Sequence, residues 1–140
     1  MKYVSADEAV KLVKSEDWVF FQGSTAVPVI IQEALARRAD ELRGVNIVSG
    51  FNITNGPAPF CKPEYKESFF VNSVFLCSDQ REYVAQGYGS LIPGFLGEIP
   101  SLIRRREIPI DVACINCSLP DENGYCSYNI SADLAQPAVE

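Results

Sequence analysis

Apolar residues along this chain come in short unbroken runs: DWVFFQ at 17–22, VNIVSG at 45–50, SFFVNSVFL at 68–76 and IPIDVACINC at 108–117. None alternates strictly between apolar and polar, as a strand with one wet face would, so each is read as a strand buried on both faces. Helical spacing fills the intervals. Ser5-Ala6-Asp7-Glu8 has the form of a capping box and leads into Ala9, Val10, Leu12 and Val13, which predicts a first helix over 6–14. After Gly23-Ser24-Thr25-Ala26, a second helix has Pro28 in its first turn and Ile30, Ile31, Ala34, Leu35 and Ala39 on its inward side, and Gly44 stops it.

Residues 52–63, rich in Asn, Gly and Pro, predict a loop, and residues 80–86 one or two helical turns closed by Gly87. SLIPGFL reads as a short extended piece, EIPSLIRRR as a helix with Pro100 tolerated near its start, and YCSYNI as a short strand beside IPIDVACINC. ISADLAQPAVE opens a further helix, with Ser131 or Asp133 as its cap, and the chain is expected to be a fragment of something longer. Buried strands separated by helices describe an α/β domain: a mostly parallel sheet with helices on both faces. At 140 residues this is one domain, spanning 1–140.

Composition narrows the chemistry. There is no histidine, so Ser-His-Asp and Cys-His nucleophiles and His-containing metal sites are excluded. A net charge of −6 argues against a nucleic-acid partner, and the cluster Arg104-Arg105-Arg106 reads as a solvated helix end. Five cysteines, an odd number, with no signal peptide and no long apolar span, point to a reducing, cytoplasmic setting and no membrane partner. Cys114 and Cys117 have CxxC spacing, but an odd separation on a strand sends their side chains to opposite faces. They are expected to be buried structural thiols, and no metal is expected. No pair of carboxylates stands out as a general acid/base couple.

Two loops leave predicted strands toward the rim where an open parallel sheet gathers ligands. GSTAVP, between a strand and a helix, could present backbone amides to an anion or an acyl oxyanion, or it could be an ordinary turn. In SLPDENGY, Pro120-Asp121 and Asn123-Gly124 supply turn chemistry, Asp121 could accept its own loop's amides, and Tyr125 could face a substrate or cover the core. On the residues alone, this is an α/β domain with a possible anion or acyl site.

Three stretches taken in order say more: GSTAVP with IIQEALARRADEL, then REYVAQGYGSLIPGFLGEIPSLI, then IPIDVACINCSLPDENGYCSYNIS. Together they resemble the amino-terminal domain of the acetyl-CoA hydrolase/transferase family, in particular its 4-hydroxybutyrate and related acyl-CoA:carboxylate CoA-transferases. The resemblance runs almost end to end and covers about the first third of a typical member. It implies a NagB/RpiA/CoA-transferase-like half-domain and a reaction moving CoA from an acyl-CoA to a free carboxylate of the 4-hydroxybutyrate, acetate or butyrate type. In such enzymes a glutamate attacks the thioester and backbone amides stabilise the oxyanions. That glutamate and the CoA-binding glycine stretch belong to the family's carboxyl-terminal domain, so this chain is expected to hold no catalytic residue and to be inactive alone.

By the same resemblance, Gly23, Ser24, Thr25 and Ala26 line the acyl pocket. Gly87, Tyr88 and Pro93 lie near it, and Ser118, Pro120, Asp121, Gly124, Tyr125 and Ser127 form the signature loop. Leu119 stands where many members carry Pro, Asn123 replaces a frequent His, and Val27 occupies a place that is often polar. Acyl-CoA and small carboxylates are the implied partners, together with the carboxyl-terminal domain and further copies in a homo-oligomer. CoA enters as substrate, and no cofactor is expected. An acetyl-CoA hydrolase on the same scaffold and a non-catalytic binding or assembly domain are the alternatives. A domain deprived of its partner should expose apolar side chains near the two loops, for which Phe51, Phe60 and Tyr125 are the candidates.

Overall fold

A computed structural model describes residues 2–140 and contains five short strands in one sheet. They are β1 (Trp18–Phe21), β2 (Val45–Gly50), β3 (Phe69–Phe75), β4 (Gly89–Leu91) and β5 (Val112–Cys114). Their spatial order is β4-β3-β2-β1-β5, and every pairing is parallel. Each crossover therefore has to return the chain to the amino end of the sheet, and helices make most of the returns. The returns use α2 (Val29–Ala36), α3 (Ser78–Ala85) and α4 (Ile99–Arg104), while α1 (Ala6–Ala9) precedes β1 and α5 (Ala135–Val139) follows β5.

The apolar runs bury both faces, as their composition requires. On one face Val19, Phe21, Val45, Ile47, Phe69 and Val71 pack with Ala34 and Leu35 of α2 and Tyr83 of α3. On the other, Phe20, Val48 and Val74 pack with Ile99 and Ile103 of α4 and Leu134 beside α5. The parallel α/β class with helices on both faces is thus what the chain adopts.

Local details differ from the sequence pattern in instructive ways. Ser5 Oγ accepts the Glu8 amide at 3.2 Å, but α1 is a single turn continued by a 3-10 turn over Val10–Leu12. Glu8 pairs with Lys11 instead of reaching back, so only half of the capping box forms. Residues 125–130 form no strand; Cys117 and Tyr128 make one antiparallel bridge. Cys114 is half-buried, with burial pushing its thiol up to about 12, whereas Cys117 lies past the end of β5 and is exposed. The expectation that both are buried therefore fails for Cys117, because the strand ends three residues earlier. Among the described residues no group of His, Cys, Asp or Glu could hold a metal, and no helix is long and apolar enough to cross a membrane.

Gly87 ends α3 with φ +85°. Its amide bonds to Val84 O and the Tyr88 amide to Tyr83 O, the two bonds of a Schellman motif. Arg104 pairs with Glu140 and Arg105 with Glu107, which bears out the reading of the basic cluster as a solvated helix end.

Because Ile47 is completely buried in the central strand, Ile47→Ala is expected to lower unfolding free energy by about 2–5 kcal/mol. Urea denaturation with an unchanged m-value checks this; a loss below about 1 kcal/mol would contradict the core assignment.

Candidate ligand cleft at the carboxyl rim

All five strands run the same way, so the segments after Phe21, Gly50, Phe75, Leu91 and Cys114 emerge at one rim. The loops 23–26 and 118–127 leave adjacent strands, β1 and β5, and so begin side by side. Gln22, fully buried, joins their bases: its Oε1 accepts the Asn116 amide at 2.6 Å and its Nε2 donates to Ser131 O.

The glycine loop is fixed by its surroundings. Gly23 N donates to Asp133 Oδ2 at 3.0 Å, Ser24 N to Phe51 O at 2.8 Å, and Ala26 N to Gly23 O at 3.1 Å. Ile53 N returns a bond to Ser24 O at 3.1 Å, so Ser24 and Asn52 form a parallel bridge that extends the sheet past β1 and β2. Ser24 takes φ +55° to make the turn. Gly23 is required for room: a Cβ there would fall 2.2 Å from Gly50 O and 2.8 Å from Asp133 Oδ2.

These bonds revise the oxyanion expectation. Three of the four GSTA amides are already engaged, one of them by a carboxylate that would repel an incoming anion. The loop is also not at a helix N-terminus, because Pro28 occupies the cap position and α2 starts at Val29. Burial raises the Asp133 pKa, while the amides of Gly23 and Leu134 oppose that rise. Ser131 and Asp133 do not cap α5, whose cap position is Leu134; both are spent on holding the β1 loop.

A cleft of about 400 Å³ opens between the β1 loop with the start of α2 and the segment after β2. Thr25, Val27, Gln32 and Glu33 form one wall, and Ile53, Thr54, Asn55 and residues 56–59 the other. A shallower trough of about 570 Å³ runs along the opposite side of the helix start, from Val27 to Ile31, with Ile115, Asn116 and Cys117 facing it. Residues 52–63, read from sequence only as loop, thus supply half the cleft. Their Asn, Gly and Pro content reported the irregular backbone and gave no sign of what that backbone faces.

The signature loop is a self-contained hairpin. Ser118 N donates to Ser127 O at 2.9 Å, and Ser118 Oγ accepts the Ser127 amide at 3.0 Å. Asp121 Oδ1 accepts the amides of Asn123 and Tyr125, each at 2.9 Å, and Gly124 takes φ +83°. Asp121 therefore has the loop-holding role that its turn chemistry allowed. Pro120 is half-buried, and Tyr125, 74% exposed, faces solvent rather than covering the core. None of residues 118–127 lines the cleft; the hairpin follows residues 115–117, which face the trough instead.

The middle group divides. Pro93 follows β4 and is on the rim, but at the outer edge of the sheet, with β3 between it and β2. Gly87 and Tyr88 precede β4, and Val71 N bonds to Tyr88 O, which places them at the amino end, away from the cleft. Their spacing from Pro93 is a strand length, which sends the two groups to opposite ends of the sheet. Of the expected exposed aromatics, Phe51 and Tyr125 are exposed, whereas Phe60 is completely buried against Phe21 and Phe69.

Behind the rim lies a buried polar cluster. Asn52 Nδ2 donates to Asp79 Oδ2 at 2.7 Å and to Ser49 Oγ at 3.3 Å, and Gln80 Nε2 donates to Ser49 Oγ. Burial raises the Asp79 pKa, and the bond from Asn52 is the largest opposing effect. Asp79 thereby anchors Asn52, whose backbone partner is Ser24 of the glycine loop.

Fold and cleft define a parallel α/β domain with a cleft beyond the carboxyl ends of its central strands, the rim at which such sheets gather ligands. The chain belongs to the acetyl-CoA hydrolase/transferase family, whose N-terminal domain profile matches residues 1–140. It is 33% identical over 139 residues to a 4-hydroxybutyrate coenzyme A transferase of Clostridium kluyveri, covering 99% of this chain and 32% of that protein. It is 32% identical to a butyryl-CoA:acetate CoA-transferase of Anaerostipes caccae, again 99% of this chain and 31% of the other. Among solved structures, a 4-hydroxybutyrate CoA-transferase of Porphyromonas gingivalis superposes with TM-score 0.63 at 27% identity, over 96% of this chain and 30% of the other. RipA of Yersinia pestis shares the fold, with TM-score 0.83 at 20% identity over 96% of this chain and 33% of that one. The chain spans about a third of the length of the curated relatives it matches.

Gly23→Ala drives a methyl into the Gly50 carbonyl and is expected to cost about 1–3 kcal/mol or more, with matching loss of amide-exchange protection at Ser24 and Ile53; a neutral effect would contradict the described loop. For Asp79, a raised folded-state pKa means its favourable contribution is complete below the unfolded value, 3.8, and is lost as pH rises through the folded value. Asp79→Asn is therefore expected to gain stability relative to the parent as pH increases from below 3.8 toward neutrality. Denaturation at a series of pH values reads the difference, and the opposite slope would show that the Asn52 bond outweighs burial.

Proposed function

We propose that this chain is the acyl-pocket half of an acyl-CoA:carboxylate CoA-transferase acting on short acids of the 4-hydroxybutyrate, acetate and butyrate type. The observation that carries the proposal is the cleft between the loops after β1 and β2, which offers apolar contacts from Val27, Ile53 and Pro57 and polar ones from Thr25 and Thr54. Its partly apolar lining, with no lysine or arginine to meet phosphates, suits a short acyl group better than a nucleotide. The resemblance of the family members supplies the chemistry. A glutamate outside this chain attacks the thioester carbonyl, expelling CoA thiolate and leaving a mixed anhydride. CoA then attacks the glutamyl carbonyl and releases the acyl group as its free acid, and an incoming carboxylate reverses the sequence.

In this proposal the rim is an inner surface of the whole enzyme. Phe51, Ile53, Phe95, Leu119 and Tyr125 are exposed along it, and a second domain that brings the nucleophile would cover them. The protein works in the cytoplasm as a homo-oligomer, with acyl-CoA and small carboxylates as its partners.

The test compares residues 1–140 with a full-length polypeptide containing them, using acetyl-CoA with butyrate or 4-hydroxybutyrate. The full-length protein is expected to form the new acyl-CoA in proportion to added acceptor, and the shorter chain to give no turnover above a blank. CoA release that ignores the acceptor would mean a hydrolase, and turnover by residues 1–140 would place the nucleophile inside them.

A further inference from the structure

We propose that Cys117 and Cys126 form a thiol–disulfide switch across the signature hairpin: a low-molecular-weight disulfide such as oxidised glutathione closes them into one intramolecular disulfide, and thiol reductants open it again. The switch uses only the hairpin's own residues and stands whether or not the transferase reading does.

The backbone ladder sets the two cysteines on one face of the hairpin. Cys117 and Tyr128 form its antiparallel bridge, with Ser118 N donating to Ser127 O at 2.9 Å and Asn129 N to Asn116 O at 3.3 Å. Those bonds frame a non-hydrogen-bonded pair, the kind whose side chains stand closer together. Residues two apart on one arm share a face, so Cys126 lies diagonal to Cys117 on the side that Tyr128 occupies. The two thiols are close enough to hydrogen-bond to each other. Both residues are exposed, unlike Cys61, Cys77 and Cys114.

Packing gives the pair no other role. Cys61 and Cys114 pack against the core, and burial pushes their thiols up to about 12, where a thiolate is scarce. Cys117 and Cys126 join neither apolar cluster, and the hairpin is held by Ser118, Ser127 and Asp121 without them. An exposed thiol with a second one against it is the arrangement of a redox cysteine and its resolving partner. In the first step the Cys117 thiolate attacks the glutathione disulfide, and one glutathione leaves as thiol. Cys126 then attacks the Cys117 sulfur and expels the second glutathione, so that two protons and two electrons pass from the hairpin to the two departing thiols. Desolvation, the Cys117 thiol and Asp121 hold the Cys126 thiol above its ordinary value, which suits it to the second step, where proximity replaces acidity. In a regular ladder diagonal Cα atoms stand about 7–8 Å apart, just past the usual disulfide span of about 4.4–6.8 Å. Closure therefore draws the two arms slightly together, and an exposed, mildly strained disulfide is the easily reduced, regulatory kind.

The test uses the full-length polypeptide containing this chain, as parent, Cys117→Ser and Cys126→Ser. Each is reduced, equilibrated in glutathione buffers of increasing oxidised fraction, alkylated without denaturant, digested and mapped by mass spectrometry. The parent is expected to yield a peptide species linked between Cys117 and Cys126, lighter by two hydrogens than the reduced pair and restored by dithiothreitol. Cys61 and Cys114 are expected to alkylate only after unfolding. Each serine variant is expected to lose the link and to carry glutathione on the cysteine that remains. Amide exchange across 118–127 is expected to slow on oxidation of the parent and to stay unchanged in both variants. Stable glutathione adducts on both cysteines of the parent, pairing of either with a cysteine elsewhere, or thiols that react only after denaturation would each overturn the switch.

Discussion

The buried carboxamide of Gln22 holds the rim in one piece. A strand end normally releases its chain into solvent, where nothing fixes the distance to the next loop. Here β1 ends on a side chain that accepts the Asn116 amide beyond β5 and donates to the carbonyl of Ser131. Asp133, two residues further, accepts the Gly23 amide. Three segments far apart in sequence are thereby locked together by charged or buried hydrogen bonds, which are worth more than their exposed counterparts. Since the segment 131–133 is spent on this clamp, the helix after it begins only at Ala135 and without a side-chain cap.

A second clamp works from the other side. The backbone bridge between Ser24 and Asn52 continues the sheet beyond its regular strands, and Asp79 holds Asn52 from beneath. Between the two clamps the glycine loop has little freedom, and its amides are committed inward. What the cleft presents is therefore side chains and shape, from Thr25, Val27, Gln32 and the 53–59 wall. In the proposed function such a pocket positions a reactant for chemistry supplied elsewhere, which is a contribution of orientation rather than of charge stabilisation.

The strand runs were legible because a sheet covered on both faces writes itself as unbroken apolar sequence, and VNIVSG became β2 residue for residue. The helix faces were less so. Ile30 reads as an inward residue by spacing, yet it is 71% exposed, while Gln32 is buried in its stead. Pattern reading assigns a polar residue to the solvent face by default, so it misses polar residues that a helix buries. Phe60, placed in a loop and expected near the surface, is buried because the loop folds back over Phe21 and Phe69. Gly87 and Tyr88 came with Pro93 in one family stretch, but a strand lies between them, and only the three-dimensional direction of β4 separates them. The signature hairpin was legible as turn chemistry; that it stands clear of the cleft was not.

The central claim is that one rim of the sheet, at the loops after β1 and β2, receives the acyl group. Hydrogen exchange read by mass spectrometry, on the full-length polypeptide with and without butyryl-CoA, tests it most directly. The account predicts slowed exchange in peptides covering 23–33 and 53–59 and no change in those covering 86–89. Protection confined to 86–89, with the two loops unaffected, would contradict it.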